Sequence, residues 1–306
     1  MSGVEGRLAV ASATSGGAVV LSAAAGRADG VAATEHTVFS TASISKTFLA
    51  ALALQCVERG ELDLDHDVSG LIGIDVGNPH FPAAAVTSRQ LLQHRSSLCD
   101  DESALARGSA FRWAAGASSE VVVGLRDYVA QRLSAGSEPE LWNRGAGPGD
   151  APYHYSNAGF TLLGYVIQVV AGADSLAELA QRRLFQPIGM HSTAYFMEEL
   201  LGRQDGQLQF AVPEGQGLYE VAEWPAAQVR STAHDLCQWL LFLSGAQPAG
   251  SAATAAARAV GGPPNPGSDS GSGRGVHEPD DRGVLSAESA EVGAHPLPGR
   301  YACVSI

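Results

Sequence analysis

Two different spacings of apolar positions divide this chain. Leu8–Ala13 and Ala18–Ala24 are short apolar runs separated by Ser15-Gly16-Gly17, which predicts a β-hairpin or two neighbouring strands. Gly26–Glu35 has no period and reads as a loop before the apolar step Val38-Phe39-Ser40-Thr41. From Ser43 to Arg59 the spacing turns helical: Ile44, Phe48, Ala51, Leu52 and Val57 recur at helix intervals, and Gly60 ends the run. Glu61–Asp65 alternates but is short and acidic, and is read as a turn. Thr87–Gln93 reads as a short helix capped by Thr87 or Ser88. Arg95–Asp101 reads as a loop, Leu125–Ser134 as a helix, and Gly136–Pro152, rich in Gly, Pro and acids, as a long surface loop.

Ala158–Ala171 is a strongly apolar helix closed by Gly172, and Ser175–Leu184 is another, with Leu176, Leu179 and Leu184 on one face. Gly202–Gly217 is polar and irregular. Thr232-Ala233-His234-Asp235 sets a hydroxyl three residues before an acid, the spacing of a capping pair, and starts a helix running to Leu243. Residues 245–306 then hold 11 Gly and 7 Pro and keep neither period, the signature of a low-complexity, disordered tail. The expected organisation is one domain over residues 1–244 followed by the tail at 245–306. Within the domain, 1–60 holds the first strands and the first long helix, 61–230 is mainly helical, and 231–244 is a closing helix. The abrupt change of composition suggests a truncated, alternatively spliced or frame-shifted ending after about residue 250.

Composition narrows the partners. The chain has 306 residues, 45% apolar and 17% charged, as a globular protein does. A net charge of −13 argues against nucleic acid and anionic membranes, both of which attract basic surfaces. No apolar run approaches membrane-spanning length. Met1–Val10 shows no basic region leading into an apolar run, so no signal peptide is read there and a cytoplasmic location is expected. Cys56, Cys99, Cys237 and Cys303 are far apart and form no Cys-x-x-Cys; they read as buried free thiols.

Lys46 is the sole lysine, against 18 arginines. Arginine keeps its proton at any workable pH, whereas a buried lysine can lose it. Lys46 follows Ser43 by three residues at the start of the first long helix, so hydroxyl and amine can share a face. Read alone, Ser43 fits a helix cap or a core hydroxyl and Lys46 an ordinary solvated side chain. A second candidate is Tyr155-Ser156-Asn157, between the glycine-rich loop and the helix from Ala158. In extended chain, residues two apart point the same way. Tyr155 could then relay a proton and Asn157 hold a lysine or a substrate carbonyl.

Together, Ser43-Ile44-Ser45-Lys46 and Tyr155-Ser156-Asn157 resemble the serine β-lactamase and penicillin-binding-protein superfamily, nearest its class C-like branch with esterases and D-alanyl-D-alanine carboxypeptidases. Three stretches add to the likeness. Leu91–Leu98 is similar to that branch's Leu-Leu-x-His-x-Ser-Gly-Leu loop, with Ser97 in place of glycine. Phe185–Met190 is similar to its Pro-Leu-Gly-Met turn, and Ser231–Leu236 to its Ser-Thr-Ala-x-Asp-Leu helix start. The resemblance covers roughly residues 5–244. It implies an α/β (α+β) fold of the β-lactamase/transpeptidase type, an antiparallel sheet with helices plus a mostly helical subdomain. It also implies catalytic roles for Ser43 as nucleophile, Lys46 as base and Tyr155 as proton relay, with Asn157 binding substrate and orienting Lys46. The substrate would be a small-molecule or peptide acyl compound: an ester, a β-lactam or a peptide amide. No metal or organic cofactor is required.

One family element is missing. A third motif, Lys-Thr-Gly or His-x-Gly, belongs on a strand that supplies an oxyanion-hole N–H. The sequence contains neither, and His277 and His295 read as solvated tail residues. Losing one such donor typically costs about 10²–10³ in rate. Without the closing strands the sheet is expected to be incomplete, with an open edge on the Leu8–Ala24 hairpin. Tyr219, Trp224 and Trp142 are candidates to line a pocket or to sit in the core. The functional expectation is a serine hydrolase, the alternative being a non-catalytic relative that serves as a binding module.

Overall fold

The computed structural model describes residues 8–13, 19–28, 31–100, 111–112, 124–201, 210 and 220–243. The expected hairpin forms: β1 (Leu8–Ala13) pairs antiparallel with β2 (Val19–Ala25), Leu8 opposite Ala25, with an irregularity at Ser12/Ala13. Gly26–Glu35, expected as a loop, instead holds two short antiparallel strands, β3 (Arg27–Ala28) and β4 (Val31–Ala32). Gly26 opens this hairpin with φ +89°, a conformation glycine adopts without a side-chain clash.

The strand that matters for the site is β5 (Val38–Ser40). It runs antiparallel to β8 (Arg230–Thr232), Phe39 opposite Ser231. A 3₁₀ turn at Ala42–Ile44 then leads into α1 (Ser45–Glu58). Phe48, Leu49, Ala51, Leu52, Ala53 and Cys56 of α1 are all buried, so the helix is enclosed around much of its girth. After α2 (Val68–Ile72) comes α3 (Ser88–Leu92), where Thr87 is the cap. Its hydroxyl accepts the Gln90 N–H while Gln90 accepts the Thr87 N–H, a reciprocal capping box.

Among the described residues, β6 (Phe111–Arg112) pairs antiparallel with β7 (Glu220–Val221). The helix expected over Leu125–Ser134 starts as α4 (Leu125–Tyr128) and continues with π geometry through Leu133. α5 (Asn157–Val170) is the second long core helix, buried from Ala158 through Ile167. α6 (Leu176–Ala180) widens into a π turn through Phe185, and α7 (Met197–Leu201), α8 (Trp224–Ala227) and α9 (Ala233–Leu243) follow. α1 packs against α5 and α8, and α9 packs against β1. Phe48 joins these layers, its ring 5.3 Å from Phe185 edge-on and 4.7 Å from Trp239. The result is a β-lactamase/transpeptidase-like fold whose sheet, among the described residues, is built of separate two-stranded pieces and does not close.

Gly136–Pro152 is only partly the surface loop expected. Leu141, Trp142 and Ala151 are buried, and Leu141 and Trp142 join the main core. Trp142 and Trp224 are therefore core residues, while Tyr219 lies outside the described residues. Cys56 and Cys237 are buried free thiols; Cys99 is only half-buried, and Cys303 lies outside the described residues. The capping pair at Thr232 and Asp235 is half realised. Thr232 Oγ1 accepts the Asp235 N–H, but the Asp235 carboxylate turns to the Ser192 N–H and the Thr193 hydroxyl. The tail at 245–306 and most of Gly202–Gly217 also lie outside the described residues.

Candidate active site

Ser43 sits on the 3₁₀ turn between β5 and α1, its side chain open to solvent. The turn is held from both sides by one residue, Val229, just before β8. Thr41 N–H and Oγ1 both donate to the Val229 carbonyl, at 2.9 and 2.7 Å, and the Val229 N–H donates to Ser45 Oγ at 3.0 Å. Ser45 Oγ donates in turn to the Ala42 carbonyl at 2.6 Å. Between these anchors Ala42 has φ +45°, a strained value for a residue with a Cβ, directly before the candidate nucleophile.

Lys46 lies in the first turn of α1 and is 6% exposed. Its Nζ donates to Asn157 Oδ1 at 2.6 Å, to the Ala226 carbonyl at 3.0 Å and to Ser43 Oγ at 3.3 Å. Three acceptors match the three protons of an ammonium group. In the neutral amine the two shorter bonds can keep the two remaining protons, and the lone pair then faces Ser43. Tyr155 reaches the same oxygen, its hydroxyl donating to Ser43 Oγ at 2.5 Å, while its ring lies 4.5 Å from Nζ. The structure thus brings Ser43, Lys46, Tyr155 and Asn157 into one cluster, although 111 residues separate Lys46 from Asn157.

Burial pulls the Lys46 amine down from the ordinary lysine range to about 8, against the opposing pull of Asp100 and Glu223. The Glu223 carboxyl is itself pushed up by burial, although Tyr128 donates to it at 2.7 Å. Arg132 bridges Glu223 and Glu138 behind that contact. His94 is pushed down to about 4, first by burial and then by the Lys46 charge. His94 Nδ1 accepts the Ser156 N–H at 3.1 Å, which assigns the ring proton to Nε2 in the neutral form. Its ring lies 4.7 Å from that of Tyr155 at 30°.

Sequence reasoning missed Asp100, Glu223 and the Ala226 carbonyl, and assigned His94 no role. Asp100 accepts Ser156 Oγ at 3.0 Å, Asn157 N–H at 2.6 Å and Ala158 N–H at 3.2 Å, so its carboxylate seals the start of α5. A packing feature sets the opposite wall. A Cβ on Gly164 of α5 would stand 3.0 Å from both Leu176 Cδ2 and Pro225 Cβ. The glycine lets α8 approach closely enough for the Ala226 carbonyl to meet Nζ. Among the described residues, no group of three or more His, Cys, Asp or Glu side chains could hold a metal ion, and no helix is long and apolar enough to cross a membrane.

Comparison with known proteins gives relatives of the expected kind. Penicillin-binding protein 4 of Amycolatopsis lactamdurans is 30% identical over 176 residues, which are 57% of this chain and 40% of that protein. The chain spans 40%, 35% and 32% of the lengths of three curated relatives it matches. The solved D-alanine carboxypeptidase AmpC of Burkholderia cenocepacia superposes with a TM-score of 0.54 at 23% identity, covering 82% of this chain and 63% of that one. EstCE1, described as a hydrolase with promiscuous acyltransferase activity, gives 0.57 at 21% identity, covering 83% and 71%. These two share the fold. The sequence model of the Beta-lactamase family matches residues 5–285, which is most of the 306 residues, and on that match the chain belongs to the Beta-lactamase family.

Proposed function

We propose that this chain is a serine hydrolase that forms an acyl-enzyme on Ser43. The observation that carries the reading is the paired approach to one exposed oxygen: Ser43 Oγ has the Lys46 amine at 3.3 Å and the Tyr155 hydroxyl at 2.5 Å. Neutral Lys46 takes the Ser43 proton as Oγ attacks the carbonyl carbon of an ester, β-lactam or peptide amide. The C–O or C–N bond then breaks, and the proton passes through Tyr155 to the leaving alcohol or amine. Water, activated in the same way, cleaves the acyl-Ser43 ester to a carboxylic acid and restores the hydroxyl. Asn157 keeps Lys46 in place throughout. Penicillin-binding protein 4 and the carboxypeptidase among the relatives support lactam and peptide substrates, and EstCE1 supports a broader acyl hydrolase.

One feature favours a second reading, an acyl-binding module without turnover: the sequence contains neither Lys-Thr-Gly nor His-x-Gly. A single experiment separates the two. The purified chain is incubated with an activated ester or a fluorescent penicillin, and the adduct is located by mass spectrometry. A hydrolase gives an adduct on Ser43 that decays with product release. A folded protein with no Ser43 adduct rejects the hydrolase reading.

A further inference from the structure

Lys46 is faced by ionisable groups from four directions. Ser43 lies on its own turn. His94 and Asp100 belong to the loop after α3, Tyr155 precedes α5, and Glu223 precedes α8 with Tyr128 and Arg132 of the α4 segment behind it. His154 acts on His94 in turn. Two of these groups also hold backbone at the start of α5: His94 Nδ1 accepts the Ser156 N–H, and Asp100 holds the residue that carries a Lys46 acceptor. Asp100 Oδ2 holds the N–H of Asn157 itself at 2.6 Å, and Oδ1 holds Ser156 Oγ and the Ala158 N–H. Asn157 Oδ1 then meets Nζ at 2.6 Å. Ser156 Oγ also accepts the Gly159 N–H at 2.9 Å, so Asp100 and Ser156 together occupy the first free donors of α5.

The positive end of α5 would otherwise leave bare N–H groups beside the residue that meets the Lys46 ammonium, two like charges close together. A carboxylate there cancels that field and adds an attraction of its own. We propose that Asp100 is a positioning residue for the Lys46–Asn157 pair, fixing the start of α5 so that Asn157 Oδ1 meets Nζ and supplying the negative charge that balances Lys46. This rests on the reading of Lys46 as the base. Asp100 touches neither Ser43 nor the substrate carbonyl in that mechanism; it acts through Asn157 and through its field.

The sole lysine makes a direct test available. Protein grown on lysine carrying ¹³C at Cε gives one side-chain signal, whose shift reports Lys46 protonation as pH is raised. In the wild type the midpoint should lie near 8. Asp100→Asn removes the charge but not the bulk, and the midpoint should fall by about one pH unit. The acid limb of Ser43 acylation should move down with it. Asp100→Glu keeps the charge and shifts it by a methylene, so the midpoint should stay put while acylation slows about tenfold at every pH. A purely structural Asp100 would lower the melting temperature in both variants and leave the lysine midpoint alone, and that result overturns the proposal. Should Asp100→Asn not fold, wild-type acylation by Asp100→Glu overturns it, and slow acylation at an unchanged midpoint supports it. If the wild type itself never acylates, the hydrolase reading fails separately, and the lysine midpoints in the wild type and both variants still decide the role of Asp100.

Discussion

Lys46 Nζ is nearer to Asn157 Oδ1, at 2.6 Å, than to Ser43 Oγ, at 3.3 Å. The amine is therefore held by the asparagine and offered to the serine. That ordering suits a base: its strong acceptors, Asn157 Oδ1 and the Ala226 carbonyl, can each keep an N–H in both states, and the weakly held Ser43 hydroxyl is left to give a proton up. Replacing the amide oxygen by a carboxylate should upset this balance in a definite direction. In Asn157→Asp a third negative group joins Asp100 and Glu223 around Nζ, so the ammonium is favoured and the amine titrates higher. The acid limb of acylation should rise by about one pH unit or more, with a loss of about tenfold at pH 7. A limb left where it was would remove Asn157 from the control of Lys46.

The wild-type pH dependence follows from the same group. As the proposed base, Lys46 must be neutral to accept the Ser43 proton, and burial brings its titration to about 8. Acylation should therefore climb with pH below about 8, tenfold per unit at the steepest, and level off above it. Lys46→Arg keeps a cation but cannot release its proton below about pH 12. It should abolish the Ser43 adduct across the whole range, as read by mass spectrometry after a fixed incubation. An adduct at wild-type rate in Lys46→Arg would exclude Lys46 as the base.

Glu223 offers a complementary change. Its side chain is largely buried, takes the Tyr128 hydroxyl at 2.7 Å and acts on Lys46 through its charge. Glu223→Gln can keep the Tyr128 bond, because the amide oxygen still accepts. Losing the charge should favour the neutral amine, so the acylation limb should move to lower pH. Among the described residues, the same change leaves Arg132 with the Glu138 carboxylate, at 3.1 Å. A limb moving upward in Glu223→Gln would contradict the electrostatic account.

The candidate site was half legible in the sequence, and the division has a physical basis. Ser43 and Lys46 stood out because one lysine among 18 arginines is a chemical choice. Tyr155 and Asn157 stood out because they share a tripeptide at a helix start. Asp100 did not, because it lies in the acidic run Asp100-Asp101-Glu102, where nothing local says which carboxylate turns inward. Glu223 and the Ala226 carbonyl meet Lys46 only through the tertiary fold, and a main-chain oxygen leaves no mark on residue type. Long helices with a clear period were legible. The short strands at Arg27–Ala32 and the buried Leu141 were not, and the core position of Trp142 was one of two open alternatives, because Gly- and Pro-rich segments read as loops whatever they pack against.

Ser97 tests whether a residue that departs from the family pattern is compensated. It stands where the related loop carries glycine, and its φ of +64° is in the left-handed region. That conformation costs a residue with a Cβ about 1–2 kcal/mol. Ser97 Oγ accepts from Asn78 Nδ2 at 3.1 Å in a buried setting, a bond worth about 1 kcal/mol. Ser97→Gly should thus be close to neutral, since relief of strain offsets the lost bond. Ser97→Ala keeps the strain and loses the bond, so it should be the less stable of the two by about 1 kcal/mol or more in chemical denaturation. Equal stabilities would mean that backbone strain at Ser97 is negligible.

Gly164 links packing to chemistry. In isolation Gly164→Ala should favour a helix by about 1 kcal/mol. Here the new Cβ would sit 3.0 Å from Leu176 Cδ2 and 3.0 Å from Pro225 Cβ. Leu176 can give way at its flexible end, but Pro225 is a rigid ring in α8 and two of the three contacts fall on it. Overpacking of this kind costs about 1–3 kcal/mol, so the net change should be a modest loss of stability. The larger effect should be on acylation. Pushing Pro225 away from α5 moves Ala226, the next residue, and lengthens the 3.0 Å bond from Lys46 Nζ to its carbonyl. Nζ then loses one of the two acceptors that aim its lone pair at Ser43, and acylation should fall by about an order of magnitude in a protein that still melts cooperatively. Loss of stability with acylation intact would show that the Ala226 carbonyl is not needed to orient the amine.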